Sequence, residues 1–165
     1  MYKTAIVTLS DKCFAGERED KSSSAIAKIL EDARIYEVAI QLVLPDDKTL
    51  IEKTLIKLCD EDKVSLILTT GGTGLSPRDF TPEATKAVAT EDVPGIAEYM
   101  RMKSFDITPK AMLSRGVSVK RNDTLIINLP GSPKGAVENL SFIMAALDHG
   151  LGIMLGKYGE CGSEK

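Results

Sequence analysis

The chain has 165 residues, 43% of them hydrophobic and 27% charged, enough for about one domain with a buried core, which excludes a disordered, collagen-like or multidomain chain. Lys and Arg number 21 against 24 Asp and Glu, and the formal net charge of −3 gives no long-range positive field for nucleic acid or anionic lipid. With four Tyr, four Phe and no Trp there is little material for a base-stacking platform, so an anionic ligand has to be held by local geometry.

Residues 4–10 form a short β-branched run that ends in polar residues and Gly16, as a buried first strand entering a loop would. From Ser22 onward, Ala25, Ile26, Ile29 and Leu30 share one helical face, and the serine cluster supplies N-cap candidates. Val38, Ile40 and Leu42 alternate with Ala39 and Gln41 like a half-exposed strand that stops at Pro45-Asp46-Asp47. Leu50, Ile51, Leu55 and Leu58 recur at helical spacing with Thr49 as a cap, and residues 65–69 follow as a central strand ending in Thr70-Gly71-Gly72-Thr73-Gly74.

Thr81-Pro82-Glu83 has the form of a helix start in which Thr caps, Pro takes the first position and Glu complements the dipole. A second start at Pro94-Gly95 leads through Ile96, Ala97 and Met100. Residues 117–119 read as a minor strand and residues 124–129 as a buried one that halts at Pro130-Gly131. Ser132-Pro133 repeats the cap-and-proline device, and Ala136, Val137, Leu140, Ile143, Met144 and Leu147 trace the chain's best amphipathic helix, with His149-Gly150 as its stop. Residues 159–165 read as a frayed tail.

Strands alternating with helices predict a three-layer α/β/α sandwich with a mostly parallel central sheet, because parallel strands need long crossovers. Ligands of such sheets bind beyond the carboxyl ends of the strands. The loops after Ser10, Thr70 and Pro130 leave that end, and the Asp46 loop is a fourth candidate. No run approaches 18 apolar residues and residues 1–7 are too short for a signal peptide, so the expected setting is cytoplasmic, without membrane contact. Cys13, Cys59 and Cys161 are odd in number and contain no C-x-x-C pair. They read as two packed thiols and one tail thiol, not as disulfides or zinc ligands.

In residues 70–83, Gly71, Gly72 and Gly74 let backbone N–H groups approach an anion, and threonine hydroxyls and Arg78 add donors. The segment is neither a P-loop nor G-x-G-x-x-G, which disfavours those nucleotide folds. Residues 128–134, Asn-Leu-Pro-Gly-Ser-Pro-Lys, aim a helix N-terminus at the same region with Lys134 beside it. Together the two loops suggest a site with two phosphate-binding ends.

Asp46, Asp47 and Asp79 lie in or near these anion loops, although a carboxylate about 4 Å from a phosphate charge costs about 4 kcal/mol at an effective dielectric near 20. A divalent cation reverses that sign, and because Mg²⁺ binds one or two carboxylates plus substrate phosphate oxygens, the pattern points to metal-assisted phosphoryl or nucleotidyl chemistry. The competing readings are a turn aspartate for Asp46 and an Asx-type brace on the next helix for Asp79. Glu17, Arg18 and Glu19 read as solvated surface, His149 as structural, and Arg115 as a turn residue able to reach an anion.

Residues 71–84, with Ser10-Asp11, Gly16 and Asp20 before them and Leu113-Ser-Arg-Gly116 and residues 128–134 after them, closely resemble the MogA/MoaB molybdenum-cofactor biosynthesis family over nearly the whole chain. The run Arg78-Asp79-Phe80-Thr81-Pro82-Glu83 looks like the MogA side. The resemblance implies a molybdopterin adenylyltransferase, in which the terminal phosphate of molybdopterin attacks the α-phosphorus of MgATP to release pyrophosphate. Carried over, Asp46 and Asp79 are the catalytic, Mg²⁺-binding carboxylates, and Gly71, Gly72, Thr73 and Gly74 hold the pterin or its phosphate end. Ser10, Asp11, Gly131, Ser132 and Lys134 complete the walls, with Arg78 or Lys134 assisting the pyrophosphate.

A homotrimer and a molybdate-inserting partner protein are implied as well. Two departures stand out, Ser22-Ser23-Ser24 in place of a common Ser-Gly-Pro and Gly135 inserted after Lys134. The alternatives are a non-catalytic pterin-binding scaffold and a MoaB-like enzyme acting on another phosphorylated substrate.

Overall fold

A computed structural model describes residues 1–157. Six strands form one sheet in the order β2-β1-β3-β6-β5-β4. They are β1 (Tyr2–Leu9), β2 (Tyr36–Leu44), β3 (Leu66–Thr70), β4 (Glu91–Asp92), β5 (Ser118–Arg121) and β6 (Thr124–Leu129). The first four in spatial order run parallel, while β5 and β4 form an antiparallel margin. The α/β class and the mostly parallel sheet follow the sequence pattern.

The helices are α1 (Asp11–Phe14), α2 (Lys21–Ala33), α3 (Lys48–Asp60), α4 (Thr81–Ala87), α5 (Pro94–Phe105) and α6 (Pro133–Met154), with a 3₁₀ turn over Pro109–Leu113. Alternation along the strands divides the core into two layers. Ile6, Leu68 and Ile127 face Ile26, Met100 and Leu140 of α2, α5 and α6, whereas Val7, Ile67 and Ile126 face Ile51, Leu55 and Ala84 of α3 and α4. No helix among the described residues is long and apolar enough to cross a membrane.

Several element ends differ from the sequence expectation, each for a local reason. The α2 cap is Asp20, whose carboxylate accepts the N–H groups of Ser22 and Ser23, leaving the serines inside the helix. Asp47 rather than Thr49 caps α3 by accepting from Leu50 N. Thr81 is the first residue of α4, not its cap, because its hydroxyl donates instead to Gly71 O at 2.9 Å.

Ser132 does cap α6, accepting from Gly135 N, but the helix passes through His149-Gly150 to Met154, carried by buried Leu151 and Gly152. Short β4, α1 and the 3₁₀ turn give no periodic signal and were not expected. Cys59 is packed, and burial pushes its thiol up to about 11; Cys13 is half-buried. Cys161 and the tail at 159–165 lie outside the described residues.

Candidate active site

The parallel strands end level with one another: Leu9 pairs with Leu44, Thr8 with Thr70, and Thr70 with Leu129. Ser10, Pro45-Asp46, Gly71 and Pro130 therefore leave the same edge. The chain order switches direction between β1 and β3, where an open parallel sheet leaves a crevice.

Two loops meet over that crevice at a point only glycine allows. A Cβ on Gly71, at φ +102°, would lie 2.3 Å from Leu9 O, and one on Gly131 would lie 3.1 Å from Gly71 Cα. Thr70 Oγ1 ties the loops by donating to Pro130 O at 2.7 Å.

A cavity of about 880 Å³ opens here, lined by Ser10, Asp46, Gly71, Gly72, Asp79, Gly131 and Ser132, within the size range of small-molecule sites. The expectation that both carboxylates share a pocket with the glycine loops holds. Asp46 Oδ2 accepts Asp11 N at 3.1 Å, and Asp11 Oδ1 accepts Asp46 N at 3.0 Å. Asp79 Oδ2 accepts Ser76 N at 3.0 Å, so its brace is on its own loop and not on the following helix. Burial raises the Asp46 carboxyl above the ordinary range, the Asp11 backbone bond opposes this, and the negative charges of Asp11 and Asp79 add to the rise.

A second cavity of about 300 Å³ lies alongside, with Thr73, Gly74, Met100, Ile107, Leu113, Asn128 and Asn139 among its walls. Ser132 lines both. Gly71–Gly74 is thus divided, Gly71-Gly72 lining the larger cavity and Thr73-Gly74 the smaller, more apolar one.

Three expected contacts are redirected. Arg78 donates to Asp11 Oδ2 at 2.7 Å, to Asp11 Oδ1 at 3.0 Å and to Asp46 O at 3.2 Å, so it staples loops and lies outside both linings. Its guanidinium holds the Asp11 carboxyl below the usual range. Asp11 is consequently a brace and not a wall. Lys134 projects into solvent, 81% exposed with Glu138 3.8 Å away, and lines neither cavity, although its neighbours Pro133 and Gly135 line the larger and the smaller one.

Sequence reading missed several walls. Thr8, Cys13, Glu17, Arg18, Glu19, Asp20 and Ser22 all line the larger cavity. Arg18 donates to Ser10 Oγ at 3.0 Å, and the Ser22 hydroxyl donates to Gly131 O at 2.9 Å, so the departure at residues 22–24 keeps its contact with the second loop. The smaller cavity was unseen, although polar Asn128 amid Ile126, Ile127 and Leu129, and Asn139 on the apolar face of α6, were available signals. Asn128 donates to Thr69 and Thr85 hydroxyls, and Asn139 to Ser104 Oγ and Gly135 O.

Residues 5–149 match the family described as "Probable molybdopterin binding domain". The chain belongs to this family. It is 42% identical over 154 residues to the molybdopterin adenylyltransferase of Helicobacter pylori J99, a match covering 93% of this chain and 88% of that protein. It is also 42% identical over 146 residues to the Escherichia coli K12 molybdopterin adenylyltransferase, covering 87% of this chain and 74% of the relative. Among solved structures, the molybdopterin biosynthesis enzyme MoaB of Thermus thermophilus is similar at TM-score 0.88 and 46% identity, covering 97% of this chain and all 100% of that one. A MogA structure is similar at TM-score 0.86 and 38% identity, covering 92% and 99%.

Proposed function

We propose that this chain is a molybdopterin adenylyltransferase of the MogA type, transferring AMP from ATP to the terminal phosphate of molybdopterin and releasing pyrophosphate. The observation that carries the reading is the placement of Asp46 and Asp79 in one cavity with the Gly71-Gly72 and Gly131-Ser132 backbones. The amides attract a phosphate that the neighbouring carboxylates repel, and a cation between them reconciles the two.

Among the described residues no group of three or more His, Cys, Asp or Glu could hold a metal alone. The carboxylate pair Asp46 and Asp79 in the larger cavity fits Mg²⁺, which takes one or two carboxylates and completes its shell with water and substrate phosphate oxygens. Asp46 and Asp79 would hold it, and when bound it would neutralise charge gathering on the transferred adenylyl group and the departing pyrophosphate.

The larger cavity takes ATP in this reading, with its phosphates against Gly71, Gly72 and Gly131. The smaller one takes the pterin, whose flat, hydrogen-bonding ring suits apolar walls set with Asn128, Asn139 and Ser104. Ser132, common to both, stands where the two phosphate ends meet. Asp11 and Arg78 do no chemistry; they orient Asp46. Bringing the reacting oxygen and phosphorus together and stabilising charge account for catalysis without a covalent enzyme intermediate.

A homotrimer accompanies this reading, the exposed apolar side chains Tyr99, Met102, Phe105 and Met112 offering surface for self-association; light scattering tests it. Incubation with molybdopterin, ATP and Mg²⁺ tests the activity. Adenylylated pterin and pyrophosphate in equal amounts are expected, whereas pterin binding without turnover would make the chain a scaffold module and overturn the proposal.

A further inference from the structure

Between the two cavities runs a stretch of chain with little packing of its own. Leu75 is 66% exposed, and residues 76–78 are exposed as well. One end of this stretch, Thr73-Gly74, lines the apolar cavity, and the other end, Asp79, lines the polar one. Its internal bonds, Ser76 N to Asp79 Oδ2 and Asp79 N to Ser76 O, close a turn but do not fix that turn to the rest of the molecule.

Arg78 ties the middle of the turn to Asp11 and to Asp46 O, and Arg115 attaches its two ends. The Arg115 Nε donates to Gly74 O at 2.7 Å and its Nη2 to Asp79 O at 2.7 Å, so one side chain grips carbonyls at both ends of the stretch. Its own backbone N donates to Thr73 O at 2.9 Å. The remaining terminal nitrogen, Nη1, pairs with Glu83 Oε1 in the first turn of α4. All three guanidinium nitrogens thus meet acceptors of the protein, and Arg115 lines neither cavity, which corrects the expectation that it reaches an anion. Glu83 Oε2 is buried with no hydrogen-bond partner among the described residues, so the Arg115 charge is the main compensation for this carboxylate.

We propose, on the reading of the site given above, that Arg115 anchored by Glu83 is a positioning residue for the transfer, fixing the distance between Gly74 and Asp79 and thereby where the Asp79 carboxylate stands in the cavity. A guanidinium suits this task because its donors radiate in one plane toward three separate acceptors, which an ammonium point charge does not reproduce. Arg115 acts through the loop and touches no substrate.

The test compares wild type with Arg115→Met, Arg115→Lys, Glu83→Gln and the Arg115→Met/Glu83→Gln double variant. Arg115→Met is expected to lose at least tenfold in kcat with less than a threefold change in the KM for ATP. The Mg²⁺ concentration for half-maximal rate rises at least threefold, because Asp79 is displaced. Arg115→Lys recovers part of the kcat loss, and the double variant is no slower than Arg115→Met alone.

Hydrogen–deuterium exchange of residues 73–80 should accelerate at least tenfold in Arg115→Met while β1 and β3 keep their protection. Unchanged kcat, an unmoved Mg²⁺ requirement, additive losses in the double variant, or unchanged exchange in residues 73–80 would each overturn the proposal. If Arg115→Met fails to fold, Arg115→Lys carries the same readouts at smaller amplitude. Exchange needs no substrate: accelerated exchange alongside a wild type without transfer activity would uphold the clamp and defeat the adenylyltransferase reading instead.

Discussion

Asp11 and Asp46 hold one another: each carboxylate accepts the other's backbone N–H, at 3.0 and 3.1 Å, which locks the loop after β1 to the loop after β2. One oxygen of Asp46 is committed to this bond. The other, Oδ1, is turned toward the glycine loop, 3.5 Å from where a Cβ on Gly72 would sit.

Asp46→Asn keeps an oxygen for Asp11 N but removes the charge. Adenylyl transfer should fall by about a hundredfold or more, the scale expected when a group stabilising transition-state charge is lost. Pterin affinity, read by equilibrium titration, should change little. Equal loss of binding and turnover would defeat the metal role of Asp46.

Arg78→Ala cuts the staple between the loop of Asp79 and the Asp11–Asp46 pair. The ion pair is solvent-exposed, 60% on the Arg78 side, so the thermal unfolding midpoint should hardly move. Turnover should nevertheless drop by about tenfold, since misplaced catalytic groups act on rate more than on stability. A wild-type rate in this variant would show that the two loops hold their spacing without Arg78.

Gly72→Ala should destabilise the fold by about 1–3 kcal/mol in urea titration, because an L side chain is strained at positive φ and meets a neighbour. Gly72 sits at φ +63°, and its Cβ would fall 2.3 Å from Thr81 Oγ1, the hydroxyl that bonds Gly71 O. Gly16→Ala, at φ +75° with nothing within 4 Å, carries the conformational strain without the clash and should cost less.

Asp20→Ala removes the α2 cap and should cost about 1 kcal/mol at neutral pH. Burial works against the Asp20 anion, but the Thr8 hydroxyl at 2.6 Å and the N–H groups of Ser23 and Ser22 outweigh it and lower its pKa below the ordinary 3.8. A depressed folded-state value means that this stability is present above the unfolded-state value and is lost as pH falls through the folded one. Wild type and variant should therefore differ at pH 7 and converge in acid, a comparison made by denaturant titration without ligand.

The buried strands and long helices were legible because their apolar periodicity has to match the face they cover. Ile67 and Ile126 face one layer, and Leu68 and Ile127 the other. Asp46, Asp79, Gly71, Gly72, Gly131 and Ser132 were legible because turn chemistry and backbone approach demand those residue types. Arg78 and Lys134 stand outside both linings for a different reason: a charge near an anion loop carries no direction in the sequence. The Asp11 carboxylate turns Arg78 inward, and Lys134 projects into solvent. Arg18 looked like surface because the cavity that makes it a wall is assembled from four loops distant in sequence.

Among the described residues, Ser132 alone lines both chambers, while Gly71-Gly72 of one loop line the larger and Thr73-Gly74 the smaller. Binding in one chamber therefore brings a tethered second group to the other at an effective concentration set by a very short link. On the proposed reading, a pterin joined through phosphate to adenosine would span Ser132 and gain the contacts of both halves while losing translational freedom only once. Its residence time should exceed that of either half alone, making departure of the joined product the slow event of the cycle.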